Sequence, residues 1–236
     1  MSKTDEFIDL YRELEAVAVE KYNFHKDGRA IYNLSQRREF RNIKSELDYC
    51  REVRNLLSHN PKIDNIYPVE PSEQMIDLLR VTLSKVKHPP RARDIMVPLN
   101  KIVWRNLNDY VLPVIREMVS NVYTHIPVFE NDVVVGVFSE STILSYLVDE
   151  EIISIDRSMR FSDFGDYLKF ENHKSESFRF VSENTMKVNI DEMFSDALTK
   201  NDRIGMVFVT HSGKPTEKIM GLITAWDLAG SNVLET

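Results

Sequence analysis

The second half of the chain contains an internal repeat, which constrains the fold more than any other feature. Residues 136–142 and 221–227 both begin with a glycine, continue with two apolar residues and then carry a hydroxyl residue. Each copy follows an apolar, strand-like stretch and a turn-rich break. Because a repeated pattern indicates a repeated supersecondary unit, we expect two copies of a strand–turn–strand–helix unit.

The second copy has the parts of a nucleotide-binding site. Gly221 lets a ligand approach the main chain, and the helix start that follows it favours phosphate. The carboxylate of Asp227 can accept hydrogen bonds from ribose hydroxyls. Thr224 and Asp227, however, also have the spacing of an ordinary helix cap. The residues alone therefore leave capping and ligand binding both open.

Over roughly residues 91–232 the chain resembles the cystathionine-β-synthase-type (CBS) domain family. The motifs that carry this resemblance are Asp94-Ile95-Met96-Val97-Pro98, His125-Ile126-Pro127-Val128 and residues 136–142 in the first copy, and Val207-Phe208-Val209 and residues 221–227 in the second. The resemblance implies that the copies, at about residues 91–150 and 178–232, pack into one Bateman module. It also implies that adenine nucleotides bind in the clefts between the copies.

The resemblance further implies which residues contact the ligand, which we expect to be AMP, ADP or ATP. Thr224 and Asp227 match the family residues that hold phosphate and ribose. The first copy departs from the pattern, because Thr142 stands where the family has Asp or Asn. A strand position before Ile126 sometimes faces the ligand in the family, although a solvent-exposed strand end explains its histidine equally well. The candidate ligand-binding residues are Gly221, Thr224, Asp227, Val207, Phe208, Ser139 and His125.

Composition and charge restrict the class of protein. The 236 residues are 42% hydrophobic and 28% charged, which is typical of a globular protein with room for two domains. Residues 91–236 hold 15 basic and 22 acidic residues, whereas residues 1–90 hold 15 of each. The acidic part disfavours nucleic acid. We predict no secretory leader, no membrane partner and a cytoplasmic location.

Cysteine and histidine usage predicts no metal site. The single cysteine and the six histidines show no paired metal-ligand spacing. Cys50 lies among apolar positions of a helical pattern. This position favours a buried structural thiol over a nucleophile.

Before residue 88 the sequence predicts a bundle of three or four helices. Apolar residues recur at helical spacing within residues 7–18, 40–57 and 75–86, and residues 30–34 indicate a shorter helix. Pro89 and Pro90 end the third long helix and mark the domain boundary. The predicted fold class is therefore α+β, with an N-terminal α-helical bundle at 1–88 followed by a tandem CBS-type α/β module at 91–232.

Past the boundary the pattern alternates between strand and helix. We expect a strand at Ile102-Val103-Trp104, a helix at 110–120 that Asn121 ends in a left-handed conformation, strands at 125–129 and 133–138, a helix at 140–148, and a helix around Phe161 to Phe170. Both families that the chain resembles usually pair, which predicts a homodimer. Its interface would use those apolar helix positions that do not cover the sheet of their own copy, among Val114, Met118, Leu144 and Leu147.

Arg54, Asn55 and His59 lie at the end of the second predicted long helix, and this segment resembles the HEPN family of helical bundles. In a HEPN ribonuclease the histidine moves a proton and the arginine stabilises charge on phosphorus, without a metal. In the structural alternative, His59 caps helix carbonyls and Arg54 pairs with acids. A basic run at Arg37, Arg38, Arg41 and Lys44 is either a solvated helix face or a track for RNA.

Three functions remain open. The first is a regulatory protein whose CBS pair senses an adenine nucleotide and signals to the helical domain. The second is a nucleotide-controlled, metal-independent ribonuclease that uses Arg54 and His59. The third is a structural dimerisation module without ligand, which the departure at Thr142 supports.

Overall fold

The computed structural model describes residues 2–59, 67, 69–151 and 154–233, without the side chains of residues 59 and 230–233. The chain separates into two compact units, residues 1–90 and 91–236. The first is helical and the second combines two sheets with helices. The predicted α+β class is therefore confirmed.

The first unit is built from helices α1 (Lys3–Tyr22), α2 (Ala30–Ser35), α3 (Lys44–His59) and α4 (Glu73–Lys87), with a 3-10 helix at Arg38–Ile43. Ser2 caps α1 by accepting from the Asp5 amide, and Ser72 caps α4 by accepting from the Met75 amide. The predicted helices are confirmed at these positions. The 3-10 segment interrupts the basic run, so its residues do not lie along one α-helix.

The predicted apolar stripes form the core of this unit. Its fully buried side chains include Phe7, Leu14, Leu47, Ile76 and Leu79. Cys50 lies in the same core, and burial raises the pKa of its thiol to about 11. A thiol that stays protonated at neutral pH is a poor nucleophile. The predicted burial of this cysteine is confirmed.

The second unit contains helices α5 (Ala92–Ile95), α6 (Val111–Asn121), α7 (Glu140–Asp149), α8 (Lys187–Thr199) and α9 (Ala225–Val233). Its strands are β1 (Val97–Pro98), β2 (Arg105–Asn106), β3 (His125–Glu130), β4 (Val133–Ser139), β5 (Ser177–Ser182), β6 (Ile204–Thr210) and β7 (Ile219–Ile223). One sheet has the order β1-β7-β6-β5 and the other the order β2-β3-β4. Each repeat thus supplies an antiparallel pair followed by a helix, β3-β4-α7 and β6-β7-α9.

The side chains of β6 show how the two sheets form layers. Val207 and Val209 point into a core shared with α8 and α9, whereas Met206 and Phe208 point into a core shared with Phe129 of the other sheet. This alternation follows from the strand period of two. A third core lies between the β3-β4 sheet and α6 and α7.

The segment between the repeats completes the first repeat, which the sequence did not indicate. Phe161, Phe164 and Leu168 are buried in the core of the first repeat. The main chain of Leu168 lies against Gly136 of β4, and the main chain of Val97, in the neighbouring strand β1, lies against Gly221 of β7. Each repeat therefore has a glycine where a second chain segment closely approaches its last strand.

Two predicted elements differ from the structure. Residues 102–104 lie outside the strand ladder, because pairing with β3 begins only at Arg105, opposite Val128. The helix predicted around Phe161 to Phe170 is instead a 3-10 segment, Phe161–Leu168, followed by a second one, Phe170–Asn172. Within the first segment Gly165 has a φ of 44° and breaks the helical path. The left-handed residue after α6 is Val122, with a φ of 59°, and not Asn121.

Val122 is strained, which gives a stability prediction. Its left-handed main chain costs a β-branched residue about 1–2 kcal/mol, and its side chain is 84% exposed. Asparagine tolerates this conformation, so Val122→Asn should raise the free energy of unfolding by about 1 kcal/mol in urea denaturation. Val119→Asn is the matched control within α6, where the two residues have similar helix propensity and no gain is expected. A loss of stability in Val122→Asn would contradict the prediction.

Candidate functional site

Thr224 and Asp227 form a helix cap at the point where β7 passes into α9. The Asp227 carboxylate accepts two hydrogen bonds on Oδ2, from the Thr224 amide at 2.7 Å and from the Thr224 hydroxyl at 2.7 Å. Both residues are half-buried. The capping alternative is therefore what the structure shows. Among the described residues, Oδ1 of Asp227 accepts no hydrogen bond from the protein, so it can still receive a ligand hydroxyl.

The first repeat places its own pair at the equivalent helix positions. Ser139 caps α7, and Thr142 stands at the third helical residue, where α9 has Asp227. The Ser139 amide donates to the Thr142 hydroxyl at 3.1 Å, and the Thr142 amide donates to the Ser139 hydroxyl at 3.3 Å. Both side chains are buried. The two repeats thus share a backbone arrangement, but the carboxylate is present only in the second.

The other candidates in the second repeat serve the fold. A side chain at Gly221 would meet the Val97 carbonyl, so the close approach that this glycine permits is to protein. Val207 and Phe208 are fully buried in two different cores, which leaves neither side chain available to a ligand.

His125 is paired inside the protein and is not an exposed strand end. Its Nε2 lies within hydrogen-bonding distance of the Glu176 carboxylate, and its Nδ1 lies 2.7 Å from the Thr124 hydroxyl. Glu176 also lies 3.5 Å from Nδ1 of His173 and accepts from the Ser141 hydroxyl at 3.2 Å. The side chains of Glu176 and His173 are only 6% and 1% exposed.

Burial raises the pKa of Glu176, but hydrogen bonds from His125 and His173 outweigh it, and the net pKa lies well below the usual range. Glu176 is therefore a carboxylate that stays ionised inside the protein. No sequence pattern points to Glu176 and His173, because single polar residues within a charged segment show no periodicity. Ser141 lies inside the repeat motif 136–142, but its spacing does not reveal a partner 35 residues away.

The lowered pKa of Glu176 predicts a pH dependence of stability. Because the pKa is lower in the folded than in the unfolded chain, where it is about 4.5, the group stabilises the fold above pH 4.5, and this contribution is lost as the pH falls below that value. Glu176→Gln should therefore be less stable than the wild type at pH 7, and the difference should narrow between pH 5 and pH 2. Urea unfolding across this range measures it. Glu183→Gln is the control, since Glu183 pairs with a largely exposed His211. A stability difference between the wild type and Glu176→Gln that stays constant with pH would contradict the lowered pKa of Glu176.

In the helical unit, Arg54 contacts aromatic and amide groups. Its guanidinium lies 5.8 Å from the ring centroid of Tyr11 and donates to Oδ1 of Asn55 at 3.3 Å. His59 is the last residue of α3, and its side chain lies outside the described part of the structure. The pairing of Arg54 with His59 remains a prediction.

The described residues offer neither a metal-binding cluster nor a membrane-spanning helix. No group of three or more histidine, cysteine, aspartate or glutamate side chains is arranged to hold a metal ion within this part of the chain. Of the helices described, none is long and apolar enough to cross a bilayer.

Comparison with protein families identifies part of the second unit. Residues 93–149 match the model of the CBS domain. This range begins in α5, ends with α7 and includes Ser139 and Thr142. The chain matches no curated protein.

Several solved structures are similar to this chain. CbpB in complex with c-di-AMP shares 14% identity over 64% of this chain and 89% of that one, with a TM-score of 0.48. CBSX2 in complex with AMP shares 16% identity over 61% and 97%, with a TM-score of 0.44. A putative acetoin utilization protein from Vibrio cholerae shares 15% over 62% and 94%, with a TM-score of 0.45.

Proposed function

We propose that the protein is a regulatory sensor of an adenine nucleotide, AMP, ADP or ATP, which binds at the start of α9. The observation that carries this proposal is the cap formed by Thr224 and Asp227, which leaves one carboxylate oxygen without a donor among the described residues. The CBS match over residues 93–149 supports it, because the family resemblance implies adenine nucleotides as ligands.

The chemistry of the cap assigns a role to each group. Because the Thr224 hydroxyl already donates its hydrogen to Asp227, it does not donate to phosphate in this arrangement. The phosphate donors are instead the main-chain amides of Ala225 and Trp226, since the amides of Asp227 and Leu228 already donate to the Thr224 carbonyl. The positive end of the helix dipole adds to their attraction for phosphate. Ribose hydroxyls then donate to Oδ1 of Asp227.

Trp226 provides a reporter and a stacking surface beside this site. It lies in the first turn of α9, one residue before Asp227, and is 85% exposed. An exposed indole ring can stack on a nucleobase. We infer that nucleotide binding changes Trp226 fluorescence. The chain has two tryptophans, so the measurement is made in Trp104→Phe, where Trp226 is the only source of tryptophan fluorescence.

Isothermal titration calorimetry with AMP, ADP and ATP tests the proposal. We expect saturable binding of at least one of them, together with a change in Trp226 fluorescence at the same concentration. The proposal is wrong if none of the three binds to folded protein at millimolar concentration. GMP is the matched control, because it shares the ribose and phosphate of AMP and differs in the base.

We further propose that the bound state is transmitted to the helical unit, through the short connection that contains Pro89 and Pro90. A ligand shifts a conformational equilibrium only if it binds the two states differently. Hydrogen exchange of α1–α4 should therefore change when nucleotide is added. Unchanged exchange there, with changed exchange in α9, would show sensing without transmission.

We also propose that the protein is a homodimer, and the structure changes which residues would carry the contact. Val114 and Met118 are buried in the core of their own repeat, whereas Leu144 and Val148 of α7 are 64% and 66% exposed. Apolar residues one helical turn apart on an exposed surface are typical of an interface. The occupant we propose is the same surface of a second copy.

Light scattering tests the dimer. The wild type should have about twice the 27.5 kDa mass of the chain at micromolar concentration. Burial of apolar surface between the two copies stabilises the dimer. Leu144→Glu should return the mass to that of a monomer, since a buried unpaired carboxylate is costly. Leu56→Glu, at an exposed leucine of the helical unit, should leave the dimer intact. A monomeric wild type would contradict the proposal.

A further inference from the structure

Glu176 reaches the start of α7 from the segment that joins the repeats. It lies directly before β5, and its Oε1 accepts from the hydroxyl of Ser141, the second residue of α7. The Ser141 hydroxyl is in turn 2.8 Å from that of Ser139, which caps the helix. The carboxylate therefore lies beside the first turn of α7, where the positive end of the helix dipole favours an anion.

The same carboxylate is enclosed by both repeats. His125 of β3 contacts Oε2, and His173 lies beside Oε1. On the side of the second repeat, a Cβ atom placed on Gly205 of β6 would lie 3.0 Å from Oε2 and 3.3 Å from Nε2 of His125. The cluster therefore fills the space between β3, β6 and the start of α7.

The equivalent position in the second repeat is arranged differently. At the start of α9 the carboxylate is Asp227, which belongs to the helix itself and leaves one oxygen without a protein donor among the described residues. At the start of α7 the corresponding helix residue is the uncharged Thr142, and the anion is supplied by a distant segment. The exposed first-turn residue Trp226 of α9 corresponds to Ser141 in α7, whose hydroxyl is used to hold Glu176.

We propose that Glu176 acts as a built-in anion that closes the first repeat to nucleotide, so that only the second repeat is a ligand site. This inference deepens the proposed function and rests on it for the identity of the ligand. It accounts for the difference between the two repeats, which share the helix start but not the carboxylate at its third residue. A phosphate group would have to replace a carboxylate already held by two imidazoles and a hydroxyl.

Removing the carboxylate should open this position to an anion. In Glu176→Ala, His125 and the Ser141 hydroxyl lose their hydrogen-bond partner, and His173 loses the carboxylate 3.5 Å from its Nδ1. We expect inorganic phosphate to bind folded Glu176→Ala roughly tenfold or more tightly than the wild type, which is the usual effect of one charge-assisted hydrogen bond. Glu183→Ala is the matched control, because it also removes a carboxylate that contacts a histidine. Oε1 of Glu183 lies 2.8 Å from Nδ1 of His211.

Phosphate as the probe separates this inference from the proposed function, which concerns nucleotide at Asp227. Thermal melting and histidine ring NMR signals report binding, and phosphate should shift the signals of His125 and His173 in Glu176→Ala alone. Folded Glu176→Ala that binds phosphate no better than Glu183→Ala overturns the inference. If Glu176→Ala does not fold, the inference is tested instead by the histidine ring signals of the wild type with AMP. Unchanged ring signals of His125 and His173 at saturation support the inference, and shifted signals overturn it.

Discussion

Asp227→Ala is expected to weaken nucleotide binding by about tenfold to a hundredfold. The change removes a carboxylate that accepts from ribose, and a hydrogen bond to a charged group contributes roughly 1.5–3 kcal/mol. It also removes the acceptor of the Thr224 amide and hydroxyl, so the cap of α9 is lost at a cost of about 1 kcal/mol in stability. Calorimetry below the melting temperature measures the affinity of the remaining folded protein.

Thr142→Ala is the matched control for this experiment. Thr142 stands at the same helix position in the first repeat and makes the same kind of cap, with the Ser139 amide at 3.1 Å. Its replacement should cost similar stability and leave affinity unchanged. Asp227→Asn should fold like the wild type, because its one amide oxygen can still accept from Thr224. It should bind nucleotide more weakly, because the amide nitrogen that then faces the ribose cannot accept a hydrogen bond. Equal affinity of the wild type and Asp227→Ala would remove the site assignment.

Gly136→Ala and Gly221→Ala are each expected to lower stability by about 3 kcal/mol, the upper part of the usual range for overpacking. In both cases the added carbon would meet a main-chain carbonyl, of Leu168 or of Val97, and main chain cannot turn away as a side chain does. For a unit of this size the loss corresponds to roughly 10 °C in melting temperature. Differential scanning calorimetry measures the effect.

Asp149→Glu is the control for these glycine variants. It also adds one carbon atom to the second unit, but at an exposed residue at the end of α7. A surface change of this kind is expected to alter stability by less than about 0.5 kcal/mol. If Gly136→Ala melts like Asp149→Glu, the approach of Leu168 to β4 is not as close as the structure has it.

Much of the fold is predictable from local patterns. The pairs β3-β4 and β6-β7 combine apolar runs with turn-forming breaks, and α1, α3 and α4 have regular apolar stripes. Strand pairing is a tertiary property, so the sequence could not show that residues 102–104 remain outside the ladder. The helix α8 was not predicted, and the conformation of Gly165 has no signal in its neighbours.

The site was predictable only where its residues lie close together in the chain. Thr224 and Asp227 are three residues apart, and their spacing indicated both a cap and a ligand position. His125 and Glu176 are brought together across 51 residues of sequence by the packing of the two repeats. No periodicity or local motif marks such a pair, so the buried cluster required the structure.

A crystal structure of the protein grown with AMP tests the central claim most directly. The account predicts AMP at the start of α9, with ribose hydroxyls within hydrogen-bonding distance of Asp227 and the phosphate on the first-turn amides of that helix. It also predicts the Glu176 carboxylate in place at the start of α7. A saturated crystal with AMP bound against Ser139 and Ser141, or with no AMP beside Asp227, would contradict the account.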